Sequence, residues 1–309
     1  MDKISIVIPC YRSAEMLDEV VRRIDAALMT HDYEIILVND SSPDNTYEVI
    51  EKLAGEYDNI IGIDLARNFG QPSAVMAALN QATGDYVVCG DDDGQTPFNE
   101  LDKLFQKIEE GYDLVEAKYA VREKRSLFRK LGTVLNESMA TWLIAKPHGL
   151  ELTTYWVTRR FVVDQMISYP NSFPYLGGLM LRATQNACNV NVTHRERLSG
   201  KSGYSLKKMI ELWLNGFTSF SIKPLRIATW VGIIIAAGGF LYGLAIIIMK
   251  LAGAAVNAGY SSIMAVNLFM FGVLLCFMGL IGEYVGRIYI SLNNAPQFVI
   301  KDYQESDEM

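Results

Sequence analysis

The sequence has little of the side-chain chemistry that builds zinc sites, disulfide frameworks or histidine-based catalytic centres. Its 309 residues include four cysteines and three histidines. No two cysteines form a Cys-x-x-Cys pair, and His31, His148 and His194 do not stand at metal-ligand spacing. We therefore predict neither a zinc site nor a histidine triad. Free thiols are typical of a protein that faces the reducing cytosol.

The chain also lacks the excess of positive charge that a nucleic-acid partner requires. It carries 28 Lys and Arg against 35 Asp and Glu, a formal net charge of -7. Because phosphate backbones are bound by basic surfaces, we expect no nucleic-acid partner. The apolar run at 4–9 is preceded by neither a basic stretch nor a cleavage site, so no signal peptide is predicted.

Charged residues are absent from two long stretches near the C-terminus. No Asp, Glu, Lys or Arg occurs in 227–249 or in 251–282. A helix over the first stretch is about 35 Å long, enough to cross a hydrocarbon core of about 30 Å with some tilt. We predict two transmembrane helices, at 227–249 and at about 263–281, joined by a short loop. The alternative, a buried core helix, rarely stays free of charge over this length.

Basic residues flank the two predicted spans and are scarce in the loop between them. The loop carries Lys250, whereas the outer flanks carry Lys207, Lys208, Lys223, Arg226 and Arg287. Because positively charged flanks stay in the cytoplasm, we predict a multi-pass protein of the cell (inner) membrane with a cytoplasmic soluble domain. Glycines in the first span, at 232, 238 and 239, permit close helix packing, so we expect a homo-oligomer.

The first part of the chain alternates between strand and helix periodicity. Strands are predicted at 4–9, 34–39, 60–65, 86–89 and 113–118. Helices are predicted at 17–28 with Ser13 as N-cap, and at about 45–57, 71–82 and 98–110. This order predicts an α/β fold, a mostly parallel Rossmann-like sheet with helices on both faces. The predicted domains are a catalytic domain at 1–210, a juxtamembrane helix at 211–226, two spans within 227–285 and a cytoplasmic tail at 286–309.

Three predicted strands end in residues that carry chemistry. The first strand runs into Pro9 and Tyr11, the second into Asp40, and the fourth into the segment 90–95. In open α/β sheets, ligands bind beyond the carboxyl ends of the strands. These three segments therefore predict one cleft.

Three consecutive aspartates follow the fourth predicted strand, and their mutual repulsion must be offset by a cation or by hydrogen bonds. Carboxylate and amide oxygens suit Mg²⁺ or Mn²⁺, and Mg²⁺ usually shares its shell with substrate phosphates. Alternate residues of an extended chain point the same way, so Asp91, Asp93 and Gln95 are the predicted metal and diphosphate ligands and Asp92 faces away. The alternative is an acidic turn that caps a helix near Pro97.

Three further segments have both a binding and a structural interpretation. Asp40 can accept hydrogen bonds from a nucleobase or ribose, or serve as a turn aspartate. Arg67 can support the nucleotide, or belong to a plain loop. Arg197 lies in a glycine-containing basic loop at 194–208 that fits a pyrophosphate or an anionic membrane surface. A P-loop is excluded, because that motif needs a glycine where Arg195 stands.

The motifs together resemble a known group. The segments that carry the resemblance are 7–11, 38–44, 67–71, 91–95, 197–204, 223–226 and 282–289. Their order, followed by two spans, is similar to family-2 glycosyltransferases of the GT-A fold that act on polyprenyl phosphates. That group includes dolichyl-phosphate mannose synthases and bacterial undecaprenyl-phosphate sugar transferases. The resemblance implies inverting transfer of one sugar from a nucleotide-sugar, with UDP as the nucleotide, to polyprenyl (undecaprenyl) phosphate at the cytoplasmic face.

The resemblance also implies roles for individual residues. The nucleotide-binding residues would be Pro9, Tyr11, Asp40, Arg67 and Asp91. The catalytic residues would be Asp93 and Arg197, with Glu151 as a weak substitute for the base of the family. The acceptor phosphate would lie near Arg122, Arg125, Arg129, Ser202 and Tyr204, although the three arginines also fit a solvated basic helix face.

Two departures from the family pattern limit these expectations. Arg12 and Ser13 stand where Asn-Glu is usual, and Trp156 stands where an arginine is expected after the acidic residue. Two other functions stay open. One is a transferase that extends a glycosylated lipid carrier, which would be active on a glycosylated acceptor and inactive on bare polyprenyl phosphate. The other is a non-enzymatic membrane scaffold with a degenerate nucleotide fold, which would show no metal-dependent nucleotide binding.

Overall fold

The computed structural model describes residues 2–119, 146–172, 174–193, 223–252, 259–293 and 295–305. The chain divides into two compact units. The first contains residues 1–216 and 294–309, and the second contains residues 217–293.

The first unit is built on one sheet of eight strands. The strands are β1 (Ile4–Cys10), β2 (Tyr33–Asn39), β3 (Ile60–Leu65), β4 (Tyr86–Cys89), β5 (Leu114–Tyr119), β6 (Trp156–Arg159), β7 (Ala187–Val192) and β8 (Ile300–Gln304). Their order across the sheet is β7-β5-β6-β4-β1-β2-β3-β8.

Helices of the first unit alternate with the strands along the chain. They are α1 (Leu17–Leu28), α2 (Thr46–Glu56), α3 (Gln71–Gln81), α4 (Leu101–Glu109), α5 (Arg160–Ile167) and α6 (Leu176–Ala183), with a short 3₁₀ turn at Phe98–Glu100 before α4. The second unit contains α7 (Lys223–Leu251) and α8 (Tyr260–Leu292).

The predicted parallel sheet is confirmed in β1 to β4. β1 pairs in parallel with β2 and β4, and β2 pairs in parallel with β3. Every residue of β1 and β3 is buried, which explains their continuous apolar runs. Helices α1, α2 and α4 contribute to a core that contains alternate β1 residues, Ile4, Ile6 and Ile8. The helix α3 packs on β1 and β2 and is buried continuously from Ser73 to Leu79.

The other half of the sheet is mixed, which the sequence does not predict. β6 lies antiparallel between β4 and β5, and β5 pairs in parallel with β7. β6 is only four residues long, and β7 is mostly half-buried, so neither has a clear apolar period. Their places in the sheet depend on partners that are distant in sequence.

The predicted N-cap at Ser13 is wrong. The helix α1 begins at Leu17, its N-cap residue is Met16, and no side chain caps it. The Ser13 carbonyl oxygen, rather than its hydroxyl, accepts hydrogen bonds from the Met16 and Leu17 amides at 2.9 and 3.2 Å. A tight turn therefore separates β1 from the helix and lengthens the loop that follows the strand.

The last strand returns to the sheet after the helical unit. β8 pairs antiparallel with β3, from Gly62 opposite Gln304 to Leu65 opposite Ile300. The Ala66 amide donates to the Val299 carbonyl at 2.9 Å, which extends the pairing. β8 therefore covers the edge of β3 that would otherwise present unpaired backbone groups.

The second unit consists of two long apolar helices. Helix α7 has 29 residues and α8 has 33, and the two predicted spans lie within them. Among the described residues, one segment, Met270–Ile290, meets the length and composition of a membrane span, with a mean hydropathy of 1.6 and none of it buried. Large apolar side chains such as Ile234 and Leu275 are exposed. Such a surface is expected of helices that meet lipid.

A buried carboxylate holds the amino-terminal edge of the sheet, opposite the predicted cleft. Glu34 accepts hydrogen bonds from the Ser5 hydroxyl at 2.5 Å and the Thr83 amide at 2.7 Å, and it pairs with the Lys3 ammonium at 2.7 Å. Burial raises the pKa of Glu34, but these hydrogen bonds outweigh it and leave the pKa below the ordinary value of 4.5.

Glu34→Gln is expected to lower the free energy of unfolding by about 1–3 kcal/mol at neutral pH, because charged hydrogen bonds to a buried group are lost. The folded pKa lies below the ordinary value, so the stabilisation is complete above about pH 4.5 and is lost as the pH falls through the folded pKa. Thermal melting of variant and wild type from neutral to acid pH measures this difference.

Glu48→Gln, at an exposed position of α2, is the matched control and should melt like the wild type throughout. A Glu34→Gln variant as stable as the wild type at neutral pH would contradict the assignment.

Candidate active site

The loops after β1 and β4 are joined by a hydrogen bond from a backbone amide to a side-chain carboxylate. The Tyr11 amide donates to Oδ2 of Asp92 at 2.9 Å. Arg12, the next residue, has a φ of 59°, in the left-handed region that few non-glycine residues adopt. Asp92 therefore faces the β1 loop, and the loops that follow β1 and β4 meet at one edge of the sheet.

The first aspartate of the acidic run is held by side chains from three directions. The Asp91 amide donates to Oγ1 of Thr96 at 3.0 Å. Gln71 Nε2 donates to Asp91 Oδ1 at 3.1 Å, and the Thr154 hydroxyl donates to Asp91 Oδ2. Gln71 begins α3, whereas Thr154 precedes β6, so the carboxylate of Asp91 joins the two halves of the sheet.

The third aspartate shapes the turn that follows. Oδ1 of Asp93 accepts a hydrogen bond from the Gln95 amide at 3.0 Å. Between them, Gly94 has a φ of 73°, a conformation that glycine adopts at little cost. The acidic run is therefore a tight turn that also groups carboxylate oxygens. Among the described residues, no side chain caps the 3₁₀ turn that begins at Phe98, and the metal role stays a prediction.

The three carboxylates act on one another electrostatically. The pKa of Asp92 is raised to about 6, first by burial and then by the negative charges of Asp91 and Asp93. Burial and the same two charges also raise the pKa of Tyr119, at the end of β5. A cation near these groups would relieve the repulsion.

These residues fit a divalent cation that completes its shell elsewhere. Within the part of the chain that the structure describes, no three His, Cys, Asp or Glu side chains are grouped to hold a metal alone. Asp91, Asp93 and Gln95 offer hard oxygen donors on one short turn. That incomplete set suits Mg²⁺ or Mn²⁺ shared with a diphosphate.

The ends of β2 and β3 are joined by Asp40. Its Oδ1 accepts from the Phe69 amide at 2.7 Å, and its Oδ2 accepts from the Gly70 amide at 2.8 Å. Burial raises the pKa of Asp40, and these two amides oppose that rise. The Arg67 guanidinium lies 4.3 Å from the centroid of the Phe69 ring. Asp40 therefore holds the loop that follows β3 against the end of β2.

The structure gathers one group of the predicted site residues at the carboxyl edge of β1 to β4. These are Pro9, within buried β1, and Tyr11, Asp40, Arg67, Asp91, Asp93 and Gln95, in the loops that follow these strands. A second group, Arg122, Arg125, Arg129, Arg197, Ser202 and Tyr204, lies outside the described residues. Their roles stay predictions.

Glu151 and Trp156 have surroundings that the sequence does not indicate. Oε1 of Glu151 pairs with the Lys118 ammonium at 2.6 Å, and both side chains are partly exposed. The Glu151 amide donates to Oδ1 of Asn189 at 2.7 Å. Trp156 is fully buried in β6, opposite Cys89 and Glu116. It is therefore a core residue of the sheet and not an open pocket wall.

One buried acid was missed by sequence analysis. Glu116 in β5 is fully buried, and burial raises its pKa to about 8. The Thr153 amide and hydroxyl donate to Oε2 at 2.9 and 3.2 Å, while Oε1 has no hydrogen-bond partner among the described residues. Thr153 and Thr154 therefore bridge Glu116 to Asp91. The sequence signal for Glu116 is a charged residue within an otherwise apolar strand. The sequence carries no comparable signal for Thr153 or Thr154.

A Rossmann-like sheet with an acidic turn at its carboxyl edge and a helical pair near the C-terminus defines a membrane-associated nucleotide-sugar transferase of the GT-A class. Residues 5–167, more than half of the chain, match the model described as glycosyl transferase family 2. Residues 223–288 match the model described as the GtrB C-terminal hairpin. The chain belongs to glycosyltransferase family 2.

Several curated proteins are similar over nearly the whole chain. Undecaprenyl-phosphate 4-deoxy-4-formamido-L-arabinose transferase of Proteus mirabilis is 36% identical, covering 97% of this chain and 94% of its own. The protein of the same name in Yersinia enterocolitica is 37% identical, covering 97% and 93%. An uncharacterised glycosyltransferase of Bacillus subtilis is 31% identical, covering 96% and 93%.

Solved structures share the fold of the first unit. Glucosyl-3-phosphoglycerate synthase of Mycobacterium tuberculosis, in complex with Mn²⁺, UDP-glucose and phosphoglyceric acid, has a TM-score of 0.51 at 17% identity. That comparison covers 70% of this chain and 78% of the other. Its complex with Mn²⁺ and UDP-glucose has a TM-score of 0.50 at 18% identity, covering 68% and 75%. At this identity the likeness establishes the GT-A fold.

Asp40→Asn is expected to weaken the loop after β3 and to lower affinity for a nucleoside diphosphate about tenfold or more, a loss typical of removing charged hydrogen bonds. An asparagine can accept one of the two amide hydrogen bonds, but its own NH₂ group would face the second donor. Isothermal titration with UDP, together with thermal melting, measures both effects.

Asp58→Asn, at an exposed position before β3 and away from these loops, is the control and should leave UDP affinity unchanged. Wild-type affinity in Asp40→Asn would show that the loop needs no carboxylate there.

Proposed function

We propose that this chain transfers a single sugar from a nucleotide-sugar, with UDP as the nucleotide, to undecaprenyl phosphate at the cytoplasmic face of the cell membrane. The observation that carries the proposal is the acidic turn at 91–95, tied to Tyr11 and Thr154 at the carboxyl edge of the sheet. The names of the similar curated proteins support the acceptor. The Mn²⁺ and UDP-glucose in complexes of the same fold support the donor.

The donor would lie across the ends of β1, β2 and β4. Its nucleoside would meet Pro9, Tyr11, Asp40 and Arg67, and its diphosphate would meet Asp91. A divalent ion, Mg²⁺ or Mn²⁺, held by Asp91, Asp93 and Gln95, would supply positive charge that stabilises the departing nucleoside diphosphate. Arg197 would add charge from the basic loop.

The acceptor phosphate would be the nucleophile. A phosphate monoester has a second pKa of about 6, so most of it is a dianion at neutral pH. One of its oxygens would form a bond to the anomeric carbon while the bond from that carbon to the donor diphosphate breaks. An in-line displacement of this kind inverts the anomeric configuration. Such a nucleophile does not need a strong base, which fits the pairing of Glu151 with Lys118.

The chain order supports two membrane crossings. The chain passes from the sheet unit into α7 and α8 and returns to the sheet unit, where 300–304 form β8. Both ends of the helical pair must then lie on one side of the membrane, since the sheet unit is not divided. Basic residues at 223, 226 and 287 favour a cytoplasmic position for that side. Anchoring would keep the cleft near the lipid headgroups, where the arginines at 122, 125 and 129 would meet the acceptor phosphate.

The direct test is transfer of labelled sugar from a panel of nucleotide-sugars to undecaprenyl phosphate in detergent, with Mn²⁺, with Mg²⁺ and with EDTA. We expect one lipid-linked sugar from one donor, and no product with EDTA. Product from a glycosylated lipid, and none from undecaprenyl phosphate, would replace the proposal with saccharide extension.

Asp93→Asn is expected to reduce turnover about 100-fold or more, the magnitude seen when a group that stabilises transition-state charge is removed. The melting temperature should change little, because the Asn side chain can still accept from the Gln95 amide. Initial rates under saturating donor and acceptor, with circular dichroism of the same sample, measure the two quantities.

Asp102→Asn, at an exposed position of α4, is the matched control and should retain full activity. Full activity in Asp93→Asn would exclude Asp93 from the metal site.

A further inference from the structure

The C-terminal strand β8 forms an ion pair with β3, close to the loops where we propose that the nucleoside binds. The Lys301 ammonium of β8 lies 2.8 Å from Oδ2 of Asp64 in β3. The Lys301 side chain is 65% exposed, whereas the Asp64 side chain is only 6% exposed. The hydrogen bond to Asp64 raises the pKa of Lys301, so Lys301 stays charged at neutral pH. A buried carboxylate is thus balanced from the surface by a residue of the last strand.

The same carboxylate orients a buried amide at the end of β2. Nδ2 of Asn39 donates to Oδ1 of Asp64 at 2.7 Å. An ionised carboxylate can only accept, so it binds the NH₂ side of Asn39 and turns the carbonyl oxygen away. That oxygen, Oδ1, accepts from the Ser42 amide at 3.1 Å. The charge of Asp64 therefore decides which way Asn39 points.

This series of hydrogen bonds, from Lys301 through Asp64 and Asn39 to Ser42, ends in the loops that follow β2 and β1. Oγ of Ser42 accepts from the Arg12 amide at 2.8 Å. Ser41 and Arg12 have φ values of 51° and 59°, left-handed conformations that are sparsely populated outside glycine and persist where surroundings hold them. Asp40 precedes Ser41, and Tyr11 precedes Arg12. The hydrogen bonds that start at Lys301 therefore support the backbone on both sides of the proposed nucleoside position.

We propose that Lys301 is a positioning residue for nucleotide binding, acting through Asp64, Asn39 and Ser42. The inference rests on the proposed function, which places the nucleoside on these loops. The strand that follows the membrane helices thereby completes the donor site. Without the Lys301 ammonium, Asp64 loses its ion pair and is free to turn toward water, Asn39 loses its fixed orientation, and the loop at 40–42 loosens.

The test compares Lys301→Met, which removes the charge, with Lys301→Arg, which keeps it. UDP binding is measured by titration in detergent with Mn²⁺, and donor KM and kcat are measured in the transfer assay. We expect the Kd of UDP and the donor KM to rise about two- to fivefold in Lys301→Met, which is the scale of one partly exposed ion pair. The kcat should change less than twofold, and Lys301→Arg should restore both constants.

Lys52→Met is the matched control, because Lys52 is 61% exposed in α2 and pairs with Glu56 at 3.7 Å, away from the series. It should leave Kd and KM unchanged. Lys301→Gln retains a hydrogen-bond donor without charge and serves if the Met variant does not fold. A loss of folded protein alone lowers kcat and leaves KM unchanged, so the split between the two constants separates positioning from stability.

Wild-type Kd and KM in folded Lys301→Met would overturn this inference and leave the proposed function intact. An absence of UDP binding by the wild-type protein would overturn both.

Discussion

The structure depends on how carboxylates are held where parallel strands end. Asp40 is held by the Phe69 and Gly70 amides, Asp92 by the Tyr11 amide, and Asp93 by the Gln95 amide. These are backbone donors, which offset desolvation without neutralising the charge. The strand ends are therefore tied together while the edge of the sheet stays negative. A donor diphosphate needs a divalent cation at such an edge, and a bare anion would be repelled.

The mixed half of the sheet completes this edge. β6 runs antiparallel beside β4, which brings the residues before it back over the acidic turn, and Thr154 donates to Asp91. The neighbouring Thr153 holds the buried Glu116. The turn is thus fixed from α3 on one side and from the β6 loop on the other, and a shift in either element would move Asp91. This arrangement gives the Thr153–Thr154 dipeptide a role that its sequence does not indicate.

The family matches and the return of β8 to the sheet describe the same arrangement along the chain. The family-2 match extends from β1 to α5, and the GtrB C-terminal hairpin match covers most of the two long helices. β8 then returns to the free edge of β3, so the part of the chain after the helices is built into the domain that precedes them. A protein that works on a lipid phosphate gains from this order, because its sheet is joined to the helical pair at both ends.

Local pattern determined much of this protein. The sequence predicts strands β3 and β4 to the residue, because mostly buried strands between turn formers leave a continuous apolar run. The acidic turn and Asp40 were found because parallel strands place their carboxyl ends at one edge. The charge-free stretches predicted two long helices for the same local reason. Tertiary structure alone decided β6, β7 and β8, the burial of Trp156, and the bonds from Lys301 to Asp64 and from Thr154 to Asp91. Short, half-buried strands and single polar contacts have no period of their own, since their energy comes from partners far away in the sequence.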